Sequence, residues 1–157
     1  MSERFGFGGA SARLLLVSVL LIQSACSGNK ATTGIVNNRL TPCPDSPNCV
    51  SSDATDDAHH VEPYRLRAGP EETWHELRTV VLAQKRVKLI TFEESYLHAE
   101  FRSAVFRFVD DAEFQLRASD GIIAVRSASR VGYSDFGVNR ERVENIREAL
   151  RARSLIE

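Results

Sequence analysis

Between residues 87 and 129 the chain carries a succession of strand-like runs, and the connections between them are too short to hold a crossover helix. Tyr96–Arg102 alternates cleanly, with Leu97, Ala99 and Phe101 on one face and Tyr96, His98, Glu100 and Arg102 on the other. Glu113–Arg117 alternates again, with Phe114 and Leu116 on one face. Val87–Glu93 is rich in β-branched and aromatic residues, and Val105–Val109 leads toward an acidic turn at Asp110-Asp111. Asp120-Gly121 is a strong hairpin turn, after which Ile122–Ser129 returns as the last strand. Short connections make neighbouring strands antiparallel, so parallel architectures are excluded for this stretch.

Two helices flank these strands. Gly69-Pro70 opens the first: proline suits the first helical position, and Glu71 and Glu72 favour the positive end of the helix dipole. Trp74, Leu77 and Val81 follow at helical spacing, which predicts a helix over 70–84. The second is predicted at 140–153, with Asn139 as its N-cap, Val138 and Val143 as a hydrophobic staple, and Val143, Ile146 and Leu150 as a narrow apolar stripe. Arg140, Glu141, Arg142, Arg147 and Arg151 lie off that stripe and read as a solvated face. A strand at Val61–Arg67, pushed to a sheet edge by Pro63, precedes the first helix. The order β-α-β-β-β-β-α defines an α+β domain: a curved antiparallel sheet of about five strands with both helices packed on one face. The opposite face is then polar, which antiparallel sheets tolerate.

The first 25 residues read as a signal peptide. Arg4 and Arg13 make a basic start, Leu14–Ile22 is an apolar run too short for a membrane span, and Ser24-Ala25 forms a small-residue exit. The ending QSAC resembles a bacterial lipobox, although Gln23 stands where leucine is usual. That resemblance implies cleavage before Cys26 and acyl chains, such as palmitate, on Cys26, which would hold the protein at a membrane. Ser27 in second place implies the periplasmic face of an outer membrane, if the host has one; plain secretion to the periplasm and an uncleaved anchor are the alternatives. Residues 26–41 read as the lipidated N-terminus and a flexible tether, and 42–157 as a single domain. With 20 Lys+Arg against 21 Asp+Glu and no block of one sign, a nucleic-acid partner is not expected.

The stretch CPDSPNC holds Cys43 and Cys49. A disulfide, a zinc site completed by His59-His60 and a redox pair are all conceivable. The gap between the cysteines exceeds that of common structural zinc sites, and the prolines oppose the helix that activates a redox thiolate. In an exported chain whose Cys26 carries lipid, the two remaining thiols sit in an oxidising compartment, and a disulfide is the leading reading. No metal and no cofactor is expected.

CPDSPNCVSS, YLHAEFRSAVFRFVDDAEF and VRSASRVGYSDFGVNRERVENIREAL resemble the bacterial and plastid family known as domain of unknown function 1499. The resemblance covers about residues 42–152. It implies a secreted or membrane-attached protein and supplies no chemical role for any residue.

Two groups of residues invite a functional reading. In the loop Arg130–Gly137, between the last strand and the last helix, Tyr133 and Asp135 accompany two glycines. Arg102, Arg126 or Arg130 would bind the charge of a small anion, and the helix start at Arg140 would add backbone donors. The polar strand positions would form an exposed binding face. No nucleophile elbow, phosphate-binding loop or metalloprotease motif is present. The sequence therefore points to a non-enzymatic binding or accessory module at the membrane surface, acting on an envelope component or a small anionic ligand. A small hydrolase using the Arg130–Gly137 loop is the alternative.

Overall fold

A computed structural model describes residues 1–2 and 32–157. The expectations for the signal peptide and for Cys26 lie outside the described residues. Among the described residues no helix is long and apolar enough to cross a membrane.

The strands are β1 (Ile35–Val36), β2 (Arg39–Leu40), β3 (Cys49–Ser51), β4 (Tyr64–Arg65), β5 (Val87–Phe92), β6 (Tyr96–Arg102), β7 (Val109–Arg117) and β8 (Ile122–Ser129); the helices are α1 (Pro70–Leu82) and α2 (Val138–Arg151). The main sheet is antiparallel in the order β3-β8-β7-β6-β5. Strand β4 pairs with the other end of β8, so β3 and β4 share one edge. This is the α+β architecture expected, five positions wide.

Both helices pack on one face. The core joins Leu97, Ala99, Phe101, Phe114, Ile123 and Val125 of the sheet to Trp74, Leu77, Val81, Val143, Ile146 and Leu150 of the helices. The register explains the sorting. Leu97 faces Phe114 and Ala99 faces Ala112, so every second residue of β6 and β7 points to the helices. Tyr64 donates its hydroxyl to the Val143 carbonyl at 2.8 Å, and Trp74 Nε1 donates to the Glu93 carbonyl at 2.9 Å, whereas the buried Thr73 hydroxyl has no partner among the described residues. Gly121 adopts φ +67° after a 3-10 turn at Ala118–Asp120, as the hairpin signal predicts.

Several expectations are corrected. Asp110-Asp111 is not a turn. Strand β7 runs through both residues, and the loop lies earlier, at 103–108. Both carboxylates are buried and paired with arginines distant in sequence. The strand expected at 61–67 is reduced to Tyr64–Arg65, and α1 ends at Leu82. Asn139 is not the N-cap of α2. Gly137 holds that position at φ +84°, and Asp135 accepts from the N–H groups of Gly137 and Asn139 at 2.9 Å each. Val138 is exposed and forms no staple. The off-stripe arginines of α2 are not all solvated: Arg142 bonds Asp110, and Arg147 is buried, donating to the carbonyls of Glu62 and Pro63.

Part of the stretch read as a tether carries regular structure. Asn37 and Asn38, both at positive φ, turn a two-residue hairpin between β1 and β2. Leu40 is buried, and its N–H donates to Asp53 at 3.0 Å.

Candidate functional site

The second face of the sheet carries Tyr96, His98 and Glu100 from β6, Asp111, Glu113, Gln115 and Arg117 from β7, and Arg126 from β8. Alternation puts them there, as expected. Their exposure differs from the expectation. Glu113 is 0 % exposed and Arg126 3 %, and His98, Asp111 and Gln115 are buried too.

Glu113 sits at the centre. Its Oε1 accepts from the Gly34 N–H at 2.6 Å and the Tyr96 hydroxyl at 2.8 Å, and its Oε2 accepts from Arg126 Nη1 at 2.6 Å. These donors replace the water that a buried carboxylate would otherwise lack. Burial, reinforced by the Glu113 carboxylate, pushes the Tyr96 hydroxyl above its ordinary value, so it remains a donor. One strand step away, Asp111 accepts from Arg130 Nε at 2.8 Å and Nη2 at 2.7 Å, and lies 2.7 Å from His98 Nε2. Arg130 also donates to Glu100 at 2.6 Å. Burial pushes the Asp111 carboxyl up, but the hydrogen bonds and charges of Arg130 and His98 outweigh it and hold it below the ordinary range. Farther along, Arg117 forms a two-pronged bond with Asp53 at 2.8 and 2.6 Å, which keeps that carboxyl low against its own burial.

At the end of this face lies a cavity of about 580 Å³. Its walls include Pro44, Ser46 and Asn48, then Asp111, Arg126, Ser129, Arg130 and Gly132, with Thr32 at one side. Cys43 and Cys49 form a disulfide with Cα atoms 5.6 Å apart, which closes the Pro44–Asn48 wall. The bond excludes the zinc and dithiol readings for these sulfurs in this state. Asn48 ties the wall to both neighbours. Its side chain donates to the Gly132 carbonyl at 2.5 Å, and its own carbonyl accepts from Asn139 Nδ2 at 3.0 Å and the Ser129 N–H at 2.9 Å. Asn139 in turn accepts from Ser127 at 2.6 Å and from Arg142. Arg126 contributes an uncommitted donor: among the described residues its Nε has no hydrogen-bond partner, although it is buried. Leaving such a donor unmet costs about 1–3 kcal/mol.

A second hollow of about 580 Å³ lies between the β1–β2 hairpin and residues 42–59. Of its acids Asp45, Asp53 and Asp56, Asp53 pairs with Arg117 and Asp56 with His59 of the same lining.

The residues proposed from sequence therefore divide. Arg126 and Arg130 line one cavity, as a ligand site requires. Arg102 borders a separate hollow with Arg86 and Arg142, and Arg140 lies elsewhere, donating to the carbonyls of His60 and Ala58 at 2.8 and 3.1 Å. Tyr133 is 78 % exposed, and Asp135 holds the start of α2. Ser134 accepts from the Phe136 N–H. Tyr133 and Asp135 thus line neither the cavity of Arg126 and Arg130 nor the hollow of Arg102. Asn48, Asp111 and Glu113 were missed. Only the pairing of β3 and β7 with β8 brings them to Arg126 and Arg130.

Fold and site together define a small α+β domain with one apolar and one ionic sheet face and a disulfide-walled cavity at the end of the ionic one. The family model described as "Protein of unknown function (DUF1499)" matches residues 39–150, and the chain belongs to that family. Comparison with curated proteins and with solved structures found no match.

Proposed function

We propose that this protein is a lipid-anchored binding module of the cell envelope, with its ligand site in the Arg126–Arg130 cavity. The observation that carries the site is the convergence of Asn48, Asp111, Arg126 and Arg130, from three separate strands and their ends, on one cavity. The charged residues of the cavity wall are Asp111, Arg126 and Arg130, and both guanidiniums are already neutralised, Arg126 by Glu113 and Arg130 by Asp111 and Glu100. That balance disfavours a multiply charged anion. It favours a small group carrying one acceptor oxygen for Arg126 and a donor for Asp111, such as a carboxylic acid or an amide of an envelope component. Anchorage is supported by the basic start, the short apolar run and the QSAC ending.

Titration of the purified protein with acetate, acetamide and inorganic phosphate, followed by amide NMR shifts, tests the site. Acetamide or acetate is expected to move the Asn48, Arg130 and Gly132 signals and phosphate to move them less. Arg126→Lys is expected to abolish the response and Tyr133→Phe to leave it intact. No response to any of the three sinks the site. Mass spectrometry of the exported N-terminus tests the anchor: acylated Cys26 is expected, and an unmodified terminus at Ser27 or later rules it out.

A further inference from the structure

Two loops leave the same end of the main sheet. Loop 103–108 joins β6 to β7, and loop 130–137 joins β8 to α2; Arg130 donates its N–H to the Val109 carbonyl at 3.1 Å, which holds the loops side by side. Their apolar side chains point outward. Phe106 is 74 % exposed, Tyr133 78 % and Phe136 96 %, and Val105, Phe108 and Val138 are exposed as well. Phe106 and Phe108 stack with ring centroids 5.4 Å apart, a pair held together in solvent rather than in the core. Loop 103–108 is itself ordered: Ser103 N–H donates to the Phe108 carbonyl, and the Ser103 hydroxyl accepts from the Phe108 N–H, both at 2.9 Å. Basic residues border the aromatic tips. Arg107 lies between the two phenylalanines, and Arg86 donates to the carbonyl of Arg102 at the base of the loop.

The path of the chain selects the occupant. Thr32, where the described fold begins, sits in the cavity wall beside Val131 and Gly132, at this same end. Six peptide steps separate Cys26 from Thr32. Fully extended they span about 20 Å, so an acyl group on Cys26 would keep this end, and not the opposite one, against the bilayer. Aromatic tips with flanking arginines suit the headgroup boundary of such a bilayer.

We propose that loops 103–108 and 130–137 are a membrane-contact surface, by which the domain lies on the bilayer with its Phe106, Phe108, Tyr133 and Phe136 side chains in the headgroup region. The proposal rests on the lipid anchor of the preceding reading for its orientation. The ligand cavity then opens toward the lipid surface, because Arg130 and Gly132 belong to the same loop.

The test uses the full chain as processed by an exporting bacterial host, with Cys26 checked by mass spectrometry, mixed with anionic phosphatidylglycerol-containing vesicles whose acyl chains carry bromine quenchers. Trp74 is buried and serves as the internal background. Reporters are Phe106→Trp, Tyr133→Trp and, in the turn at the opposite sheet end, Ser119→Trp. Blue-shifted, quenched emission at 106 and 133, with none at 119, is the expected result. If the protein stays vesicle-bound but 106 and 133 are not quenched, the contact surface is wrong and the anchor stands. If the protein does not sediment with vesicles and Cys26 is unmodified, the anchor is wrong, and the orientation argument goes with it. A blue shift at 106 that grows with protein concentration in the absence of lipid overturns the proposal in favour of a second copy of the chain.

Discussion

The two faces of the sheet are buried to a similar depth by different chemistry. On the helix side, Leu97, Phe114 and Val125 meet Leu77 and Ile146, and contact is non-directional. On the other side Glu113, Asp111, Arg126 and Arg130 are held by bonds whose partners must be correct in type and position. A buried ion pair is weak evidence for stability, since its desolvation offsets much of its attraction. The apolar face accounts for folding. The ionic face fixes where particular groups stand, which is what a binding site needs.

Substitution distinguishes the two faces. Phe114→Ala, in the apolar face, is expected to lose about 3–5 kcal/mol in denaturant unfolding. Glu113→Ala is expected to lose as much, because Arg126 is left buried without its counter-charge. The faces separate in the next step. Glu113→Leu combined with Arg126→Met should recover most of the loss, whereas no polar pair could replace Phe114 and its neighbours. A double variant as unstable as Glu113→Ala would show that the ionic face is a structural necessity.

Reduction of Cys43–Cys49 comes next, at roughly 2 kcal/mol from loop closure. In NMR it should broaden the Asn48 and Gly132 signals while the helix-face core keeps its shifts. Acid should loosen the ionic face through Asp111 and Asp53. Asp111 and Asp53 have folded-state values held below the ordinary carboxylate value. Their contribution is complete above about pH 4 and is lost as pH falls through the lowered values. An unfolding midpoint that drops below pH 4 in the native protein, and drops less in Asp111→Asn, is the expected outcome. The smallest effect is at the helix start: Asp135→Ala should cost about 1 kcal/mol, as a lost cap, without altering the acetamide response.

The sequence was legible where local pattern and tertiary packing agree. Strand β6 is an uninterrupted alternation, and its bounds in the fold, Tyr96–Arg102, coincide with those of the pattern. Asp110-Asp111 misled because two adjacent acids have turn chemistry, and the partners that make them tolerable in a strand, Arg142 and Arg130, lie far along the chain. The β1–β2 hairpin left a signal, Asn37-Asn38 after the apolar pair Ile35-Val36, that the polarity of its surroundings hid. At the site, Arg126 and Arg130 were accessible as residue types. Asn48 and Asp111 were not, because their positions depend on strand register. Asp135 shows the opposite error: a loop aspartate that looked chemical holds a helix end.

The Gly34 N–H bond to Glu113 has a mechanical consequence. The family match begins at residue 39, yet the fold already grips the chain at 34, through a hairpin of two residues per strand and the most deeply placed carboxylate of the sheet. Tension applied at the N-terminus would therefore not be absorbed at the disulfide. It would be delivered to Glu113 first, making that carboxylate the point at which a pull on the chain becomes a load on the sheet.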